Sequence, residues 1–280
     1  MLFLVPPAWL RERLAAPSGH PLRLLDASYY LPNESKDAAA LFQAAHLPGA
    51  RFFDLDKVVD AGSPLPHMLP SPQDFAAAVA ALGIGSTDHV VVYDQRGLFS
   101  AARLWWMFRV FGHDNVAVLD GGLPGWIEAG GVVEAGMPGA AAPGDFVSRF
   151  HPDLVRSLKQ MKANLHSGAE LVLDARAAGR FDGSVPEPRP GMRSGHIPGA
   201  KSLPFTDLLQ DGKMLPPDIL RAKFTGLGVT PDSKLVTSCG SGVTAAVLTL
   251  GLAVAGLPPG ALYDGSWSEW GGRDDTPIEV

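Results

Sequence analysis

The sequence predicts an α/β fold that consists of two tandem domains, each built on a doubly wound parallel sheet. The first observation is an internal repeat: four segments recur in the same order about 144 to 150 residues apart, which indicates a duplicated domain. The second observation is that short apolar runs alternate, within each copy, with longer stretches of helical pattern. This alternation is typical of parallel sheets covered by helices.

The strands are predicted from continuous apolar runs that end in Asp, Cys or Gly, as buried parallel strands do. The repeated segments, first copy before second, are "LRLLDA" (22–27) and "LVLDA" (171–175), "HLPGA" (46–50) and "HIPGA" (196–200), "HVVVYDQRG" (89–97) and "KLVTSCGSG" (234–242), and "VLDGGLPGW" (118–126) and "LYDGSWSEW" (262–270). Helices are predicted over 71–85, which has an N-cap signal, an early Asp and a terminal Gly, and over the matching 216–229.

The domain boundary is predicted from a stretch rich in Gly, Ala and Pro at 134–145, which has no apolar period. Such a composition is typical of an exposed linker. We therefore predict a first domain over 1–133, a linker over 134–152 and a second domain over 153–280.

Composition narrows the class of protein. The chain of 280 residues has 23 Lys and Arg against 29 Asp and Glu, and this acidic balance argues against nucleic-acid binding. The N-terminal segment "MLFLVPPAWLRERLA" lacks the basic start of a signal peptide, and Pro6 and Pro7 interrupt its apolar run. No window reaches the length of a membrane span. The sequence thus predicts a cytoplasmic protein without membrane or nucleic-acid partners.

The single cysteine, Cys239, lies where an apolar strand ends and a helix begins, in "CGSGVTA". One cysteine forms neither an intrachain disulfide nor a CxxC metal site. At this position the helix dipole and unpaired N–H groups favour a thiolate, which is the nucleophilic form. The alternative is a small core residue, but the two glycines and two hydroxyl groups that follow Cys239 favour a nucleophile.

Two reactions use a cysteine in a loop of N–H groups. Phosphate-ester hydrolysis needs an Arg six residues after the cysteine, but that position is Ala245. Sulfur transfer through a persulfide needs only N–H donors for an anion. The loop therefore favours sulfur transfer, and no metal or organic cofactor is predicted, since the cysteine carries the sulfur itself.

The chain resembles the two-domain sulfurtransferases of the rhodanese superfamily over nearly its whole length. "CGSGVTA" is similar to the active loop of the members that use 3-mercaptopyruvate, whereas thiosulfate-using members carry basic residues there, as in "CRKGVTA". "DARAAGRFDG" and "PEPRPGMRSGHIPGA" are also similar to segments of this family. The resemblance implies two rhodanese-like domains, of which the C-terminal one is active. Asp94 takes the place of the cysteine in the first copy, so that copy is expected to be catalytically silent.

The resemblance also implies roles for particular residues. Arg180 and Arg189 are implied to hold the carboxylate and keto oxygen of the substrate, for which guanidinium groups are suited. A proton relay of Asp37, His46 and Ser241 is implied, although His46 can equally be a structural residue of its "HLPGA" turn. The loop residues assigned to substrate binding beside these arginines are Gly240, Gly242, Val243 and Thr244.

The predicted activity is transfer of sulfur from 3-mercaptopyruvate to a thiophilic acceptor through a Cys239 persulfide, with release of pyruvate. The predicted partners are a small anionic sulfur donor and an acceptor such as cyanide, a thiol or a thioredoxin-like protein. Two alternatives remain open at this stage: a thiosulfate:cyanide sulfurtransferase, which the uncharged loop disfavours, and a non-enzymic sulfur carrier or sensor.

Overall fold

The computed structural model describes residues 2–17 and 19–280. The chain divides into two compact units. The first unit contains the residues before Ala61, together with Leu69–His151 and Asp211–Met214. The second unit contains Ala61–Met68, Pro152–Gln210 and Leu215–Val280. A short segment of the N-terminal half, 61–68, is therefore part of the second unit.

The first unit is a five-stranded sheet in which all strand pairs are parallel. Its strands are β1 (Leu4–Val5), β2 (Leu22–Asp26), β3 (Arg51–Phe52), β4 (His89–Tyr93) and β5 (Val116–Leu119). Its helices are α1 (Pro7–Ala15), α2 (Ala38–Ala44), α3 (Pro72–Ala81), α4 (Ala101–Val110) and α5 (Gly122–Glu128). The strand order is β1-β5-β4-β2-β3.

The second unit repeats this plan. Its main strands are β6 (Val155–Arg156), β7 (Leu171–Asp174), β8 (Lys201–Ser202), β11 (Leu235–Ser238) and β12 (Ala261–Tyr263), and the short strands β9 (Leu209–Gln210) and β10 (Lys213–Met214) lie between them in the chain. Its helices are α6 (Leu158–Ser167), α7 (Ala178–Phe181), α8 (Pro217–Gly226), α9 (Ala245–Val254) and α10 (Ser266–Trp270). The order is β6-β12-β11-β7-β8, again with parallel pairs.

The two identical strand orders confirm the predicted doubly wound α/β class. In each sheet the chain passes to one side of its second strand and then returns to the other side. Ligands bind beyond the carboxyl ends of the strands at such a switch point. In the second unit these are the ends of β7 and β11, so the fold directs attention to the residues after Asp174 and Ser238.

Local signals explain the helices that flank the sheets. Ser71 caps α3 by accepting a hydrogen bond from the Asp74 N–H group at 3.1 Å, as the sequence predicts. The helix after the cysteine loop, α9, begins at Ala245 and is almost wholly buried. The predicted linker is largely exposed but not detached, since the His151 N–H group donates to Val110 O at 2.7 Å within the first unit. No helix among the described residues is long and apolar enough to cross a membrane.

Candidate active site

Cys239 lies directly after β11 and is 2% exposed. The loop it opens ends at Thr244, which precedes α9. β11 is hydrogen-bonded to β7 in register, with Ser238 opposite Asp174. The cysteine is therefore held at the switch point of the second sheet, as its place in the sequence predicts.

The carbonyl groups at the start of the loop are bonded to α10. Cys239 O accepts a hydrogen bond from the Trp267 N–H group at 2.9 Å. Gly240 O accepts two, from the Ser268 N–H group at 2.8 Å and from Ser268 Oγ at 2.7 Å. Because these carbonyl oxygens are satisfied by α10, they do not compete for the N–H groups of the loop.

Those N–H groups are available to a ligand. Within the described part of the chain, the N–H groups of Gly240, Ser241, Val243 and Thr244 donate no hydrogen bond. Gly242 has a φ of 75°, a left-handed conformation that glycine adopts at little cost and that turns successive N–H groups to one side. The loop thus forms a cradle for an anion beside the cysteine.

Ser266 fixes the first residue of this loop. Its hydroxyl oxygen accepts a hydrogen bond from the Cys239 N–H group at 3.2 Å and donates to Tyr263 O at 2.8 Å. Ser266 is fully buried and has a φ of 48°, which is unusual for a residue with a side chain. In the first copy of the repeat Gly122 stands at this position, with a φ of 53°.

Arg180 lies directly beside the loop. Its Nη2 atom is 3.0 Å from the position that a Cβ atom would occupy at residue 240. A side chain at residue 240 would therefore press against the guanidinium group of Arg180. Arg180 is paired with Glu187 through Nε and Nη2, and its side chain is 22% exposed. The structure thus brings Arg180, Gly240 and Cys239 together as the sequence predicts.

A second arginine, Arg176, is completely buried behind Arg180. It donates to Asp174 at 2.7 Å and to Glu187 at 2.7 Å, and its guanidinium carbon lies 4.3 Å from the centre of the Trp267 ring. Burial lowers the pKa of Arg176, but the ion pairs with Asp174 and Glu187 outweigh it and hold this pKa above its ordinary value. Arg176 is a structural ion that no substrate reaches.

The remaining arginines of this segment differ in their contacts. Arg189 is half-buried and makes no hydrogen bond or ion pair with any other described residue. Arg193 donates to the backbone carbonyl groups of Gly271, Trp270 and Thr276. Arg193 is therefore used to hold the chain, whereas the guanidinium of Arg189 has all its donors free for a ligand.

The hydroxyl group of Ser241 bonds to a histidine that the sequence did not reveal. His67 Nδ1 lies 3.0 Å from Ser241 Oγ, and both side chains are buried in the second unit. The φ of His67 is 59°, a backbone conformation typical of functional positions when a non-glycine residue adopts it. The segment 61–68 carries no periodic pattern, so no local signal assigns it to the second unit.

His46 and Asp37, the other two members of the predicted relay, make their contacts within the first unit. His46 Nδ1 is 2.9 Å from Phe42 O, its ring stacks on that of Phe42, and its Nε2 lies 4.0 Å from Glu134. Asp37 accepts a hydrogen bond from the Ala40 N–H group as the N-cap of α2. Within the second unit, the Ser241 hydroxyl is bonded to His67. These contacts support the alternative that the sequence left open, a structural role for His46 in its turn.

The second copy of this turn supports the structural role. His196 Nδ1 is 2.9 Å from Phe181 O, and its Nε2 is 3.5 Å from Glu279. Its ring stacks on that of Phe181 at 3.7 Å. The same arrangement in both halves indicates that "HLPGA" and "HIPGA" fix a turn in each unit.

The corresponding loop of the first unit holds a carboxylate in place of a thiol. Asp94 Oδ2 accepts hydrogen bonds from the N–H groups of Phe99, Ser100 and Ala101 at 2.8 to 2.9 Å, and Oδ1 accepts one from Arg96 N–H at 2.9 Å. The side chain thus occupies its own anion cradle. The carboxylate of Asp94 thus shows that a loop of this form holds an anion.

No group of three or more His, Cys, Asp or Glu side chains with metal-binding geometry is found in the described ranges. The second unit offers one thiol, an anion cradle with Arg180 beside it, and a serine–histidine pair. Together these groups suit nucleophilic attack on a small anionic substrate, with a proton donor close to the loop.

Comparison with known proteins agrees with this description. The model of the rhodanese-like domain matches residues 6–129 and 157–273. A human 3-mercaptopyruvate sulfurtransferase is 46% identical over 95% of this chain and 91% of its own length. A mitochondrial thiosulfate/3-mercaptopyruvate sulfurtransferase of Arabidopsis thaliana is 44% identical over 97% of this chain and 76% of its own length. The crystal structure of SseA, a 3-mercaptopyruvate sulfotransferase of Escherichia coli, matches with a TM-score of 0.85 at 40% identity, over 95% of this chain and 99% of SseA.

Proposed function

The chain belongs to the rhodanese family, with one rhodanese-like domain in each half, and we propose that it transfers the sulfur of 3-mercaptopyruvate through a persulfide on Cys239. One observation carries the proposal. The single thiol of the chain lies in a cradle of unpaired N–H groups, with the Arg180 guanidinium group directly beside it. The cradle suits a persulfide anion, and the arginine suits an α-keto acid.

The first half-reaction forms the persulfide. The Cys239 thiolate attacks the sulfur of 3-mercaptopyruvate, an S–S bond forms and the C–S bond breaks. The electron pair of the C–S bond moves onto the carbon, which leaves as the enolate of pyruvate and takes up a proton. The N–H groups of the loop stabilise the negative charge on the sulfur, as an oxyanion hole does for oxygen. An acceptor thiolate then attacks the outer sulfur and restores the Cys239 thiolate.

The two arginines have different donors to offer the substrate. Arg189 has its whole fork of N–H groups free, which matches a carboxylate in a bidentate pair. Arg180 has its Nε and Nη2 edge bonded to Glu187 and so offers chiefly Nη1. We assign the substrate carboxylate to Arg189 and the keto oxygen to Arg180.

The pair Ser241 and His67 supplies the proton. His67 Nδ1 lies 3.0 Å from Ser241 Oγ, so the pair can relay a proton through the hydroxyl group to the carbon of the leaving enolate. We propose this pair in place of the relay through His46, whose ring nitrogens face Phe42 and Glu134.

Thiosulfate is the second candidate donor, since the name of the Arabidopsis relative includes it. A thiosulfate dianion that approaches a thiolate needs added positive charge in the loop. The residues that follow Cys239 are instead uncharged. An arginine at position 240 would also meet Nη2 of Arg180. Both features support 3-mercaptopyruvate over thiosulfate.

The general partners are a sulfur donor and a thiophilic acceptor. We propose that the acceptor is a small thiol or a thioredoxin-like protein in the cytoplasm, because the persulfide is attacked by thiolates. The non-enzymic carrier is disfavoured because a carrier needs no arginines to hold a keto acid.

The proposed function is tested by two measurements on the wild-type protein. The first is the ratio of kcat/KM for 3-mercaptopyruvate to that for thiosulfate, with cyanide as acceptor, and we expect it to exceed one. The second is mass spectrometry after exposure to 3-mercaptopyruvate, in which one added sulfur on Cys239 is expected. A preference for thiosulfate would contradict the donor, and an unmodified thiol would contradict the persulfide.

A further inference from the structure

Arg180 and Arg176 share one buried carboxylate, that of Glu187. The Glu187 side chain is 4% exposed, although it belongs to the otherwise exposed "PEPRP" segment. A carboxylate costs free energy to bury unless its charge is paired and its oxygens are hydrogen-bonded. Here both conditions are met by the two arginines, so the carboxylate is held in one position.

The two carboxylate oxygens of Glu187 have different partners. Glu187 Oε1 accepts from Arg176 Nη1 at 2.7 Å and from Arg180 Nε at 3.2 Å. Glu187 Oε2 accepts from Arg180 Nη2. Arg176 is fixed independently, because it also donates to Asp174 and to Gly195 O at 2.9 Å. Arg180, in contrast, has Glu187 as the only partner of its guanidinium group among the described residues.

The contact therefore determines where the Arg180 guanidinium group lies. With Nε and Nη2 bonded to Glu187, the plane of the group is fixed and Nη2 stands 3.0 Å from the Cβ position of Gly240. Without that contact, a long arginine side chain that is 22% exposed would sample several rotamers, which costs binding free energy when a substrate arrives.

The charges of the cluster lead to the same conclusion. Asp174 and Glu187 carry two negative charges, and Arg176 and Arg180 carry two positive charges, so the four residues are neutral before a substrate binds. The recognition of an anionic substrate by Arg180 therefore depends on the direction of its N–H groups and not on an excess of charge.

We propose that Glu187 is a positioning residue for substrate recognition: it orients Arg180 over Gly240 so that one N–H edge meets the keto oxygen of an α-keto acid. This inference rests on the proposed function, because it assigns a role to the arginine of that site. Glu187 itself does not touch the substrate.

The variant Glu187→Gln tests this role because it changes the two arginines unequally. A glutamine that keeps its oxygen at the Oε1 position still accepts from Arg176, but it turns an NH2 group toward Nη2 of Arg180. We expect the dissociation constant of pyruvate, measured by calorimetry, to rise about 10- to 100-fold, the effect of one lost charge-assisted hydrogen bond. The rate of Cys239 alkylation by iodoacetamide, an uncharged reagent, should stay within about twofold of wild type, because the loop itself is unchanged.

A double-mutant comparison separates positioning from a general structural role. In an Arg180→Ala background, Glu187→Gln should change the pyruvate dissociation constant by less than about twofold, since the residue to be positioned is absent. The matched control is Glu170→Gln, which breaks the pair with Arg156 at 2.7 Å at the amino end of β7, and it should leave pyruvate binding unchanged. If Glu187→Gln does not fold, Glu187→Asp, which keeps the charge but is one methylene shorter, should show the same loss of pyruvate affinity.

Unchanged pyruvate binding in Glu187→Gln, or an equal loss in the Arg180→Ala background, would overturn the proposal. Turnover of 3-mercaptopyruvate by the wild-type protein, measured in parallel, tests the proposed function separately, because pyruvate binding involves no sulfur transfer. A wild-type protein without affinity for pyruvate would overturn the role proposed for Glu187, whereas its turnover of 3-mercaptopyruvate would still decide the proposed function.

Discussion

Ser266 adopts a left-handed backbone conformation that glycine adopts more easily, and the first unit has Gly122 at the same place in its repeat, with nearly the same φ. For a residue with a side chain this conformation costs about 1 to 2 kcal/mol. The hydroxyl group of Ser266 accepts the N–H group of Cys239 and donates to Tyr263 O. The turn requires this φ in both units. The presence of Ser in place of Gly at position 266 is therefore explained by its contact with Cys239.

Replacing Ser266 by Gly and by Ala separates the strain from the hydroxyl group. Both variants lose the acceptor for the Cys239 N–H group, so we expect kcat for 3-mercaptopyruvate to fall by about one order of magnitude in each, as for a small displacement of a nucleophile. Only Ala keeps the unfavourable φ, so Ser266→Gly should be more stable than Ser266→Ala by about 1 kcal/mol. Urea denaturation and steady-state kinetics measure the two effects. Wild-type activity in both variants would show that the hydroxyl group does not position Cys239.

The loops after β4 and β11 are two versions of one element. Each follows the strand at the switch point, each contains a left-handed glycine (Gly97 and Gly242), and each leads into a buried helix. In the first version the Asp94 carboxylate accepts four N–H groups. In the second version the N–H groups of Gly240, Ser241, Val243 and Thr244 donate to no described residue. The element is an anion cradle in both units, closed by its own side chain in one.

The internal anion of the first loop makes Asp94 important for stability. Asn at this position keeps one oxygen for the three N–H groups of Phe99, Ser100 and Ala101, but it turns an NH2 group toward the N–H group of Arg96. We expect Asp94→Asn to lower the free energy of unfolding by about 2 to 4 kcal/mol. The kcat per folded molecule should not change, because Cys239 belongs to the second unit. A loss below about 0.5 kcal/mol in urea denaturation would show that the carboxylate does not hold the loop.

The sequence predicts the loop after β11 well, but it does not predict His67, the residue bonded to Ser241 of that loop. Strand, cysteine, glycines and helix are consecutive in the chain, so the cradle could be recognised from residues 234 to 252. Arg180 follows the neighbouring strand, β7, and the parallel fold brings it to the same edge of the sheet as Cys239. His67 has no such local signal. The sequence does not identify His67, because the assignment of segment 61–68 to the second unit depends on tertiary contacts and not on a local pattern.

At the scale of the whole molecule, the repeat predicts two parallel sheets. Both are found, and their strands are arranged in the same order. The two units differ in how they pair the aspartate at the end of the second strand. Asp174, at the end of β7, is paired with Arg176 at 2.7 Å. The equivalent Asp26, at the end of β2, accepts from uncharged donors, among them the Ser28 N–H group at 2.9 Å and Gln95 Nε2 at 3.1 Å. Among the described residues, this buried acid of the first unit has no ion-pair partner.

This difference predicts how the stability of the molecule depends on pH. Burial raises the pKa of Asp26 from 3.8 to about 6, although its hydrogen bonds to Ser28 and Gln95 oppose the shift. A carboxyl group with a raised pKa holds its proton more tightly in the folded than in the unfolded chain. Its contribution is therefore fully present below about pH 4 and is lost as the pH rises to about 6.

The variant Asp26→Asn removes this titration, and Gln95 can turn its amide to accept from the new NH2 group. We expect the unfolding free energy of the wild-type protein to fall relative to that of Asp26→Asn by about 2 kcal/mol between pH 4 and pH 7, with most of the change between pH 4 and pH 6. Urea denaturation of both proteins at each pH gives this difference directly, because every other carboxylate titrates in both. A difference that stays constant with pH would mean that Asp26 ionises normally and that the first half tolerates its unpaired buried charge.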